Sequence, residues 1–276
     1  ENLSLQPIKY ESPIASAQVK SSILLAGLYT QGVTEVLEPA KSRDHTERML
    51  DYFGANVEVD GLKVRVTGRA ELTGQKVMVP GDISSAAFMI VAGLITSNSD
   101  IILEDVGLNP TRSGIIKVLE KMNANLTLFN QREVNGEPIA NIRVKSSQLQ
   151  ATEISGELVP ILIDEIPILA IAATQAQGKT IIKDAQELRV KETDRISAMV
   201  RELRRLGIIV TEREDGMEIE GGQQVKGGIT CDSYGDHRIA MSLAVLGLIA
   251  KDTVIIDDAE CINISFPEFN KLLDSL

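Results

Sequence analysis

The feature that most constrains this chain is a supersecondary pattern that recurs four times: a helix rich in small residues, a strand, a short charged turn, then an amphipathic helix ending near Gly or Asn. In the first copy the small-residue helix runs from Ser16 through Leu24, Leu25 and Leu28 and the strand from Thr34 to Leu37. The charged turn is Lys41 to Asp44, and the second helix is His45 to Phe53, closed by Gly54. The second copy opens at Gly81 and Asp82, continues through Ala86 to Ile95 and a strand at Ile101 to Leu103, and passes Thr111 and Arg112 before the helix Ile115 to Met122. The third opens at Asp164 and closes at Gly207. The last opens at Gly235 and Asp236 and is cut short at Phe266, Pro267 and a final helix. The openings lie roughly 65–80 residues apart, the scale of whole βαβ-sized units rather than of a short solenoid repeat. Between units come strand pairs that cross Gly-containing turns, such as Val57 to Val59 with Lys63 to Val66 and Ile208 to Val210 with Met217 to Ile219.

Copies of one unit around a pseudo-axis bury their first helices together, which explains why those helices are rich in Ala, Ser and Gly. The helix openings and the charged turns then face one end. The expectation is an α/β fold of repeated βαβ-type units packed around buried helices. A composition break over 74–80 predicts a domain boundary near Met78, with one unit in residues 1–78 and three in 79–276, the last one short.

Composition narrows the partners. A net charge of −11 and 3% aromatic residues with no Trp exclude a nucleic-acid binder, which needs a basic footprint and stacking rings. Any phosphate-bearing ligand must be held by a local cationic cluster. Cys231 and Cys261, with only two histidines, give neither zinc spacing nor a disulfide framework and fit a reducing cytoplasmic location. The longest apolar runs, Ala86 to Ile95 and Ile239 to Ala250, are too short for a membrane span and read as buried helices. The opening ENLSLQPIKY shows no signal peptide and is not a natural initiation, so the chain reads as trimmed or excised.

Charge is most concentrated in LRVKETDR, Leu188 to Arg195. It follows the strand Thr180 to Ile182 and precedes Met199, Val200, Leu203 and Leu206 at helical spacing. Lys191 and Arg195, four apart, are expected on one face of the first turn, where like charges cost a few tenths of a kcal/mol unless an anion offsets them. With the free N–H groups of the helix end, this is an anion-binding arrangement. Glu192 beside it is either an acid or base, or a simple ion-pair partner of Arg195. Asp164 lies in LVPILIDEIPILAIAA, where apolar flanks suit a general base and equally an N-cap. Asp236 in YGDHRIAM reads as a cap, with His237 and Arg238 in the turn behind it. Ser16, Ala17 and Gln18 open a helix that can offer N–H groups to phosphate, Ser16 also being an ordinary N-cap. Arg43 can bind phosphate bidentately or pair with Asp44 or Glu47. Gln177 to Thr180 ends like a P-loop but lacks its first glycine, Ala173 standing there, and has the wrong element order, so ATP binding is set aside.

Taken in order, ASAQVKSSILLAG, SRDHTERML, VPGDISSAAF, DEIPILAIAA, LRVKETDRI, YGDHRIAM and SFPEF closely resemble the 5-enolpyruvylshikimate-3-phosphate synthase (3-phosphoshikimate 1-carboxyvinyltransferase) family over essentially the whole chain. The resemblance implies a two-domain enolpyruvyl transferase-like fold. It implies transfer of the enolpyruvyl group of phosphoenolpyruvate to the 5-hydroxyl of shikimate 3-phosphate, on the way to chorismate and the aromatic amino acids, without metal or organic cofactor. By motif, Asp164 corresponds to the base that takes the 5-hydroxyl proton. Lys191 and Glu192 correspond to the proton-handling pair, with Glu192 the donor to the methylene carbon. Arg195 and Arg238, assisted by His237, correspond to the phosphoenolpyruvate clamp. Ser16, Ala17 through its backbone, Gln18 and Arg43 correspond to the shikimate 3-phosphate cradle.

Several positions depart from many family members: Ile264 stands where a lysine is usual, Ala17 where Ser is, and Glu187 where Asn is. With Arg43 these resemble the glyphosate-tolerant class. The family's N-terminal part, with its glycine-lysine-serine loop, is absent from this sequence. The expectation is therefore that the chain works with a missing N-terminal segment of the same protein and turns over poorly by itself. The alternatives are a UDP-N-acetylglucosamine enolpyruvyl transferase, which shares fold and donor, and a non-catalytic anion-binding fragment.

Overall fold

The expected copies fold as βαβ units. In the computed structural model, which describes residues 5–276, the chain starts with β1 (Lys9–Glu11), α1 (Ala17–Gly27) and β2 (Val33–Leu37). The first few residues of the ENLSLQPIKY opening lie outside the described residues. β1 and β2 are parallel, with Lys9 opposite Glu35. α2 (His45–Tyr52), β3 (Val57–Asp60) and β4 (Lys63–Thr67) follow, and β4 runs antiparallel to both β2 and β3. The sheet order is β1-β2-β4-β3. Ser16 caps α1 by accepting the Val19 N–H at 3.3 Å. Leu24, Val36, Leu50, Ala55, Val64 and Val66 form one buried cluster, so α1 and α2 lie over the inward-facing valines of β2 and β4.

Next come α3 (Ile83–Ile95), β5 (Asp100–Gly107), α4 (Gly114–Lys121), β6 (Asn125–Val134) and β7 (Glu137–Lys145). Asp82 caps α3 through the Ser84 and Ser85 N–H groups. Gly81 forms a parallel bridge with Val106, and the sheet order is β5-β7-β6. The third copy comprises β8 (Glu153–Ile154), 3-10 turns at Gly156–Ile161 and Ile163–Glu165, α5 (Ile166–Thr174), β9 (Lys179–Ile182), a 3-10 turn at Gln186–Val190, α6 (Arg195–Arg205), β10 (Val210–Arg213) and β11 (Gly216–Glu220). Its order, β8-β9-β11-β10 with β8 parallel to β9, repeats that of the first sheet. The fourth keeps only the parallel pair β12 (Ile229–Asp232) and β13 (Val254–Asp257) around α7 (His237–Gly247), then ends in a 3-10 turn Ala259–Ile264 and α8 (Phe269–Leu273).

The chain divides into two compact units. The first holds residues up to Pro80 together with Gly107–Arg112 and Gln131–Ile139, and the second holds the remainder. Within the second, α3, α5 and α7 pack on one another. α5 is buried at every residue from Ile166 to Thr174, which Ala170, Ala172 and Ala173 permit by letting neighbours approach. A Cβ at Gly93 of α3 would lie 2.9 Å from Ile101 Cδ1, so a larger residue there would have to push the Ile101 side chain aside. Each fully buried Leu or Ile in this core contributes about 1.5–3 kcal/mol. Phe269 of α8 closes it edge-on against Phe88.

Two strands differ clearly from expectation: β5 runs on to Gly107 rather than ending at Leu103, and the strand expected at Ile208 starts later. Pairing begins at Val210 rather than Ile208, because Ile208 N–H bonds Leu203 O and Gly207 N–H bonds Arg204 O. Gly207, at φ +89°, thereby ends α6 in a left-handed cap that consumes Ile208.

Candidate active site

In the second unit the structure gathers Asp164, Glu192, Arg195 and Arg238 around the N-terminal ends of α5, α6 and α7. Asp236 organises them. Tyr234 and Gly235, at φ +56° and +67°, turn the chain so that Asp236 Oδ1 accepts the Arg238 and Ile239 N–H groups. Its Oδ2 accepts Arg195 Nε at 2.7 Å. Arg195, the first residue of α6, is 1% exposed. Its Nη2 donates to Glu192 at 2.5 Å, while Nη1 lies 3.6 Å from Asp164 Oδ1 and is buried without a hydrogen-bond partner. Arg238 Nη1 donates to the Asp164 carbonyl at 3.0 Å and stands 3.8 Å from the buried Glu165 carboxylate, which also accepts Ser84 Oγ. Burial pushes the His237 imidazole below its ordinary pKa. The Arg238 charge adds to this, and Asp236 and Glu192 oppose it.

Two expectations require correction. Lys191 and Arg195 do not share a helical face: α6 starts only at Arg195, and Lys191 is extended at φ −78°, ψ −157°. Asp194 decides this by accepting the Ser197 N–H, a stronger start signal than the charges before it. Lys191 instead pairs with Glu187 at 2.5 Å, so one family departure, Glu187, supplies its anionic partner. Asp164 is not an N-cap. It sits inside the 3-10 turn Ile163–Glu165, and α5 begins at Ile166 with no side-chain cap. Asp236, by contrast, is the cap its sequence indicated. Ile264 is 80% exposed at the end of its 3-10 turn.

The first unit presents Ser16, Ala17 and Gln18 at the start of α1, and Arg43, half-buried, ahead of α2. Beneath them lies a cluster that sequence reasoning missed. Lys20 Nζ bonds Glu38 at 2.8 Å and Glu47 at 2.6 Å, with exposures of 2%, 3% and 4%. Ser42, next to Arg43, donates to the same Glu38. Among the described residues, no group of three or more His, Cys, Asp or Glu side chains is gathered as a metal would need.

A family model described as EPSP synthase (3-phosphoshikimate 1-carboxyvinyltransferase) matches residues 1–273. The chain belongs to the EPSP synthase family. It is 57% identical over 273 residues to the 3-phosphoshikimate 1-carboxyvinyltransferase of Petrotoga mobilis, covering 99% of this chain and 63% of that protein. The EPSP synthase structure from Acinetobacter baumannii superposes with a TM-score of 0.95 at 46% identity, again over 99% of this chain and 63% of that one. An enolpyruvyl transferase of Streptomyces tendae, 17% identical with a TM-score of 0.78 over 99% of this chain and 64% of that one, shares the fold. The chain thus has the enolpyruvyl transferase fold and spans less than two thirds of its EPSP synthase relatives.

The EPSP synthase motifs contain the gathered cations and the Asp236 and Glu192 carboxylates that hold Arg195, but the motifs do not show how those groups pair. Lys20 and Glu165 lie within those motifs, but no role could be read for them there, because each depends on partners distant in sequence. A lysine beside Val19 on the side of α1 that buries Leu24 was the one available hint.

Proposed function

We propose that this chain supplies shikimate 3-phosphate and phosphoenolpyruvate sites for a 3-phosphoshikimate 1-carboxyvinyltransferase, which moves the enolpyruvyl group to the 5-hydroxyl and releases phosphate. The observation that carries this reading is Arg195. A guanidinium withdrawn from water, fixed on two sides by Asp236 and Glu192, keeps one buried Nη1 without an acceptor. Such a donor calls for an anion, and Arg238 and His237 stand at the next helix start to share it.

On this reading Asp164, 18% exposed and beside the Arg195 charge, takes the 5-hydroxyl proton as the oxygen attacks the enolpyruvyl carbon. Glu192 delivers a proton to the methylene carbon, making it a methyl group, and takes one back when phosphate leaves. Lys191, tethered to Glu187, lies next to Glu192 and stabilises the charge that develops there. Ser16, the Ala17 backbone, Gln18 and Arg43 of the first unit hold the 3-phosphate, using the free N–H groups of a helix start. None of these steps requires a cofactor. The site belongs to a cytoplasmic enzyme of aromatic amino-acid biosynthesis, and no helix among the described residues is long and apolar enough to cross a membrane. Turnover is proposed to require the further residues that its longer relatives possess.

Calorimetric titration with the two possible acceptors tests the assignment. Saturable binding of shikimate 3-phosphate, tightened by phosphoenolpyruvate, is expected. Binding of UDP-N-acetylglucosamine in its place would transfer the site to the sugar-nucleotide enzyme.

A further inference from the structure

Lys191 and Glu192 lie on a segment that the backbone does not hold. Residues 191–194 are neither helix nor strand, and among the described residues no N–H of Lys191, Glu192, Thr193 or Asp194 donates a hydrogen bond. A segment of this kind is mobile unless side chains fix it. One side chain at its entrance does so. Arg189 Nε donates to Glu214 O at 2.7 Å, in the turn between β10 and β11, and Nη2 to Arg213 O at 2.7 Å, at the end of β10. Its Nη1 is shared among Asp194 Oδ2 at 2.8 Å, Ser197 Oγ at 3.1 Å and Glu212 Oε1 at 3.1 Å.

Those acceptors sit on three different supports. Asp194 is the N-cap of α6 and the residue directly before Arg195. Glu212 lies on β10 and also accepts Ser197 Oγ at 2.7 Å, which joins the start of α6 to the sheet. The two carbonyls belong to a hairpin whose strand β11 pairs with β9. Arg189 therefore clamps both ends of segment 190–194, its entrance through its own backbone and its exit through Asp194, onto the β9–β11–β10 sheet.

We propose that Arg189 is a positioning residue for the catalytic segment: its guanidinium fixes the path of residues 190–194 and so sets where Lys191 and Glu192 stand relative to Arg195. Its consequence for turnover rests on the function proposed above, whereas its consequence for segment order does not. Lysine cannot replace the fork, because an ammonium reaches one or two of these acceptors but not carbonyls and carboxylates on opposite sides.

The test is backbone ¹⁵N relaxation of the chain as it stands, in the native sequence and in Arg189→Gln and Arg189→Lys. Native order parameters at Lys191, Glu192 and Thr193 are expected near the rigid value of about 0.85, falling below about 0.6 in both variants while β9, β11 and the middle of α6 stay rigid. Unchanged order at 191–193 in either folded variant overturns the proposal, and so does a uniform loss of order across the sheet, which marks a merely structural role. Arg189→Lys keeps the test available if Arg189→Gln does not fold. Under conditions that support phosphate release, kcat should drop on the order of 10²-fold, since a displacement of about 1 Å costs that much. KM for shikimate 3-phosphate should hold. Loosened order in a protein whose native form releases no phosphate would contradict the proposed function and leave the positioning role standing.

Discussion

Arg195 and Asp236 meet at 2.7 Å with 1% and 0% of their side chains exposed, an ion pair closed off from water at the junction of α6 and α7. The same carboxylate caps α7 through its other oxygen, so one residue neutralises a buried cation and starts a helix. Removing it takes the one fully buried carboxylate from Arg195 Nε and leaves the guanidinium only the more exposed Glu192 and Asp164. Asp236→Ala is expected to destabilise the second unit by about 3–5 kcal/mol, the usual cost of removing one partner of a buried ion pair. An unfolding free energy from urea denaturation within about 0.5 kcal/mol of the native protein's, the range of an ordinary surface substitution, would show that the pair is not buried in solution.

In the first unit the Lys20 cluster predicts a compensation between mutations. Lys20→Met leaves the Glu38 and Glu47 carboxylates buried without their shared cation, and should cost about 3–5 kcal/mol at neutral pH. Adding Glu38→Gln and Glu47→Gln removes the uncompensated charge and should recover most of that loss. Chemical denaturation of the single and triple variants measures it, and simple additivity of the three losses would disprove the coupling.

His237 offers a spectroscopic handle on anion binding. Burial and the Arg238 charge hold its pKa below the ordinary ~6.5, so the ring is neutral at pH 7. A bound phosphate or carboxylate favours the charged form, so the NMR titration midpoint should rise when phosphoenolpyruvate is added. His45 is the only other histidine, and His45→Gln assigns the signal. A midpoint that ignores phosphoenolpyruvate would remove His237 from the proposed phosphoenolpyruvate site. The same shift bears on stability: the unfolded chain takes up the proton first, so this group lowers stability as pH falls below ~6.5 and has no effect above it.

Asp44 contributes acid sensitivity to the first unit. Burial raises its pKa, but hydrogen bonds from Arg48 and Asn109 outweigh burial and hold it below the ordinary carboxylate value. Its stabilisation is therefore complete above ~3.9, the unfolded value, and is lost as pH falls through the lower folded value. Asp44→Asn should flatten that part of the acid-unfolding curve. An unchanged slope between pH 2 and 4 would show that these hydrogen bonds contribute nothing there, an interval set by the carboxylate range of about 2–4.

How much of this was legible depended on distance along the chain. The βαβ copies could be read because hydrophobic period, small-residue helices and turn residues are local signals. The caps at Ser16 and Asp236 were legible for the same reason. The start of α6 was misjudged because apolar spacing located the helix while the Asp194 cap, which fixes its first residue, went unused. Lys20, Glu165 and Arg189 were illegible for a different reason. Lys20 meets Glu38 only after the sheet has formed, and Arg189 finds its carbonyls only once β10 and β11 are paired. The candidate site was visible as a list of charges, but its framework of buried partners was not.

The most direct test of the central claim is phosphate release from phosphoenolpyruvate and shikimate 3-phosphate. It is measured with this chain by itself and with the N-terminal third of an EPSP synthase relative added as a separate polypeptide. Release that needs both substrates, is far faster in the mixture, and falls at least on the order of 10²-fold in Asp164→Asn is the predicted result. Absence of release in either arrangement together with no binding of shikimate 3-phosphate, or a mixture whose rate is indifferent to Asp164→Asn, would contradict it.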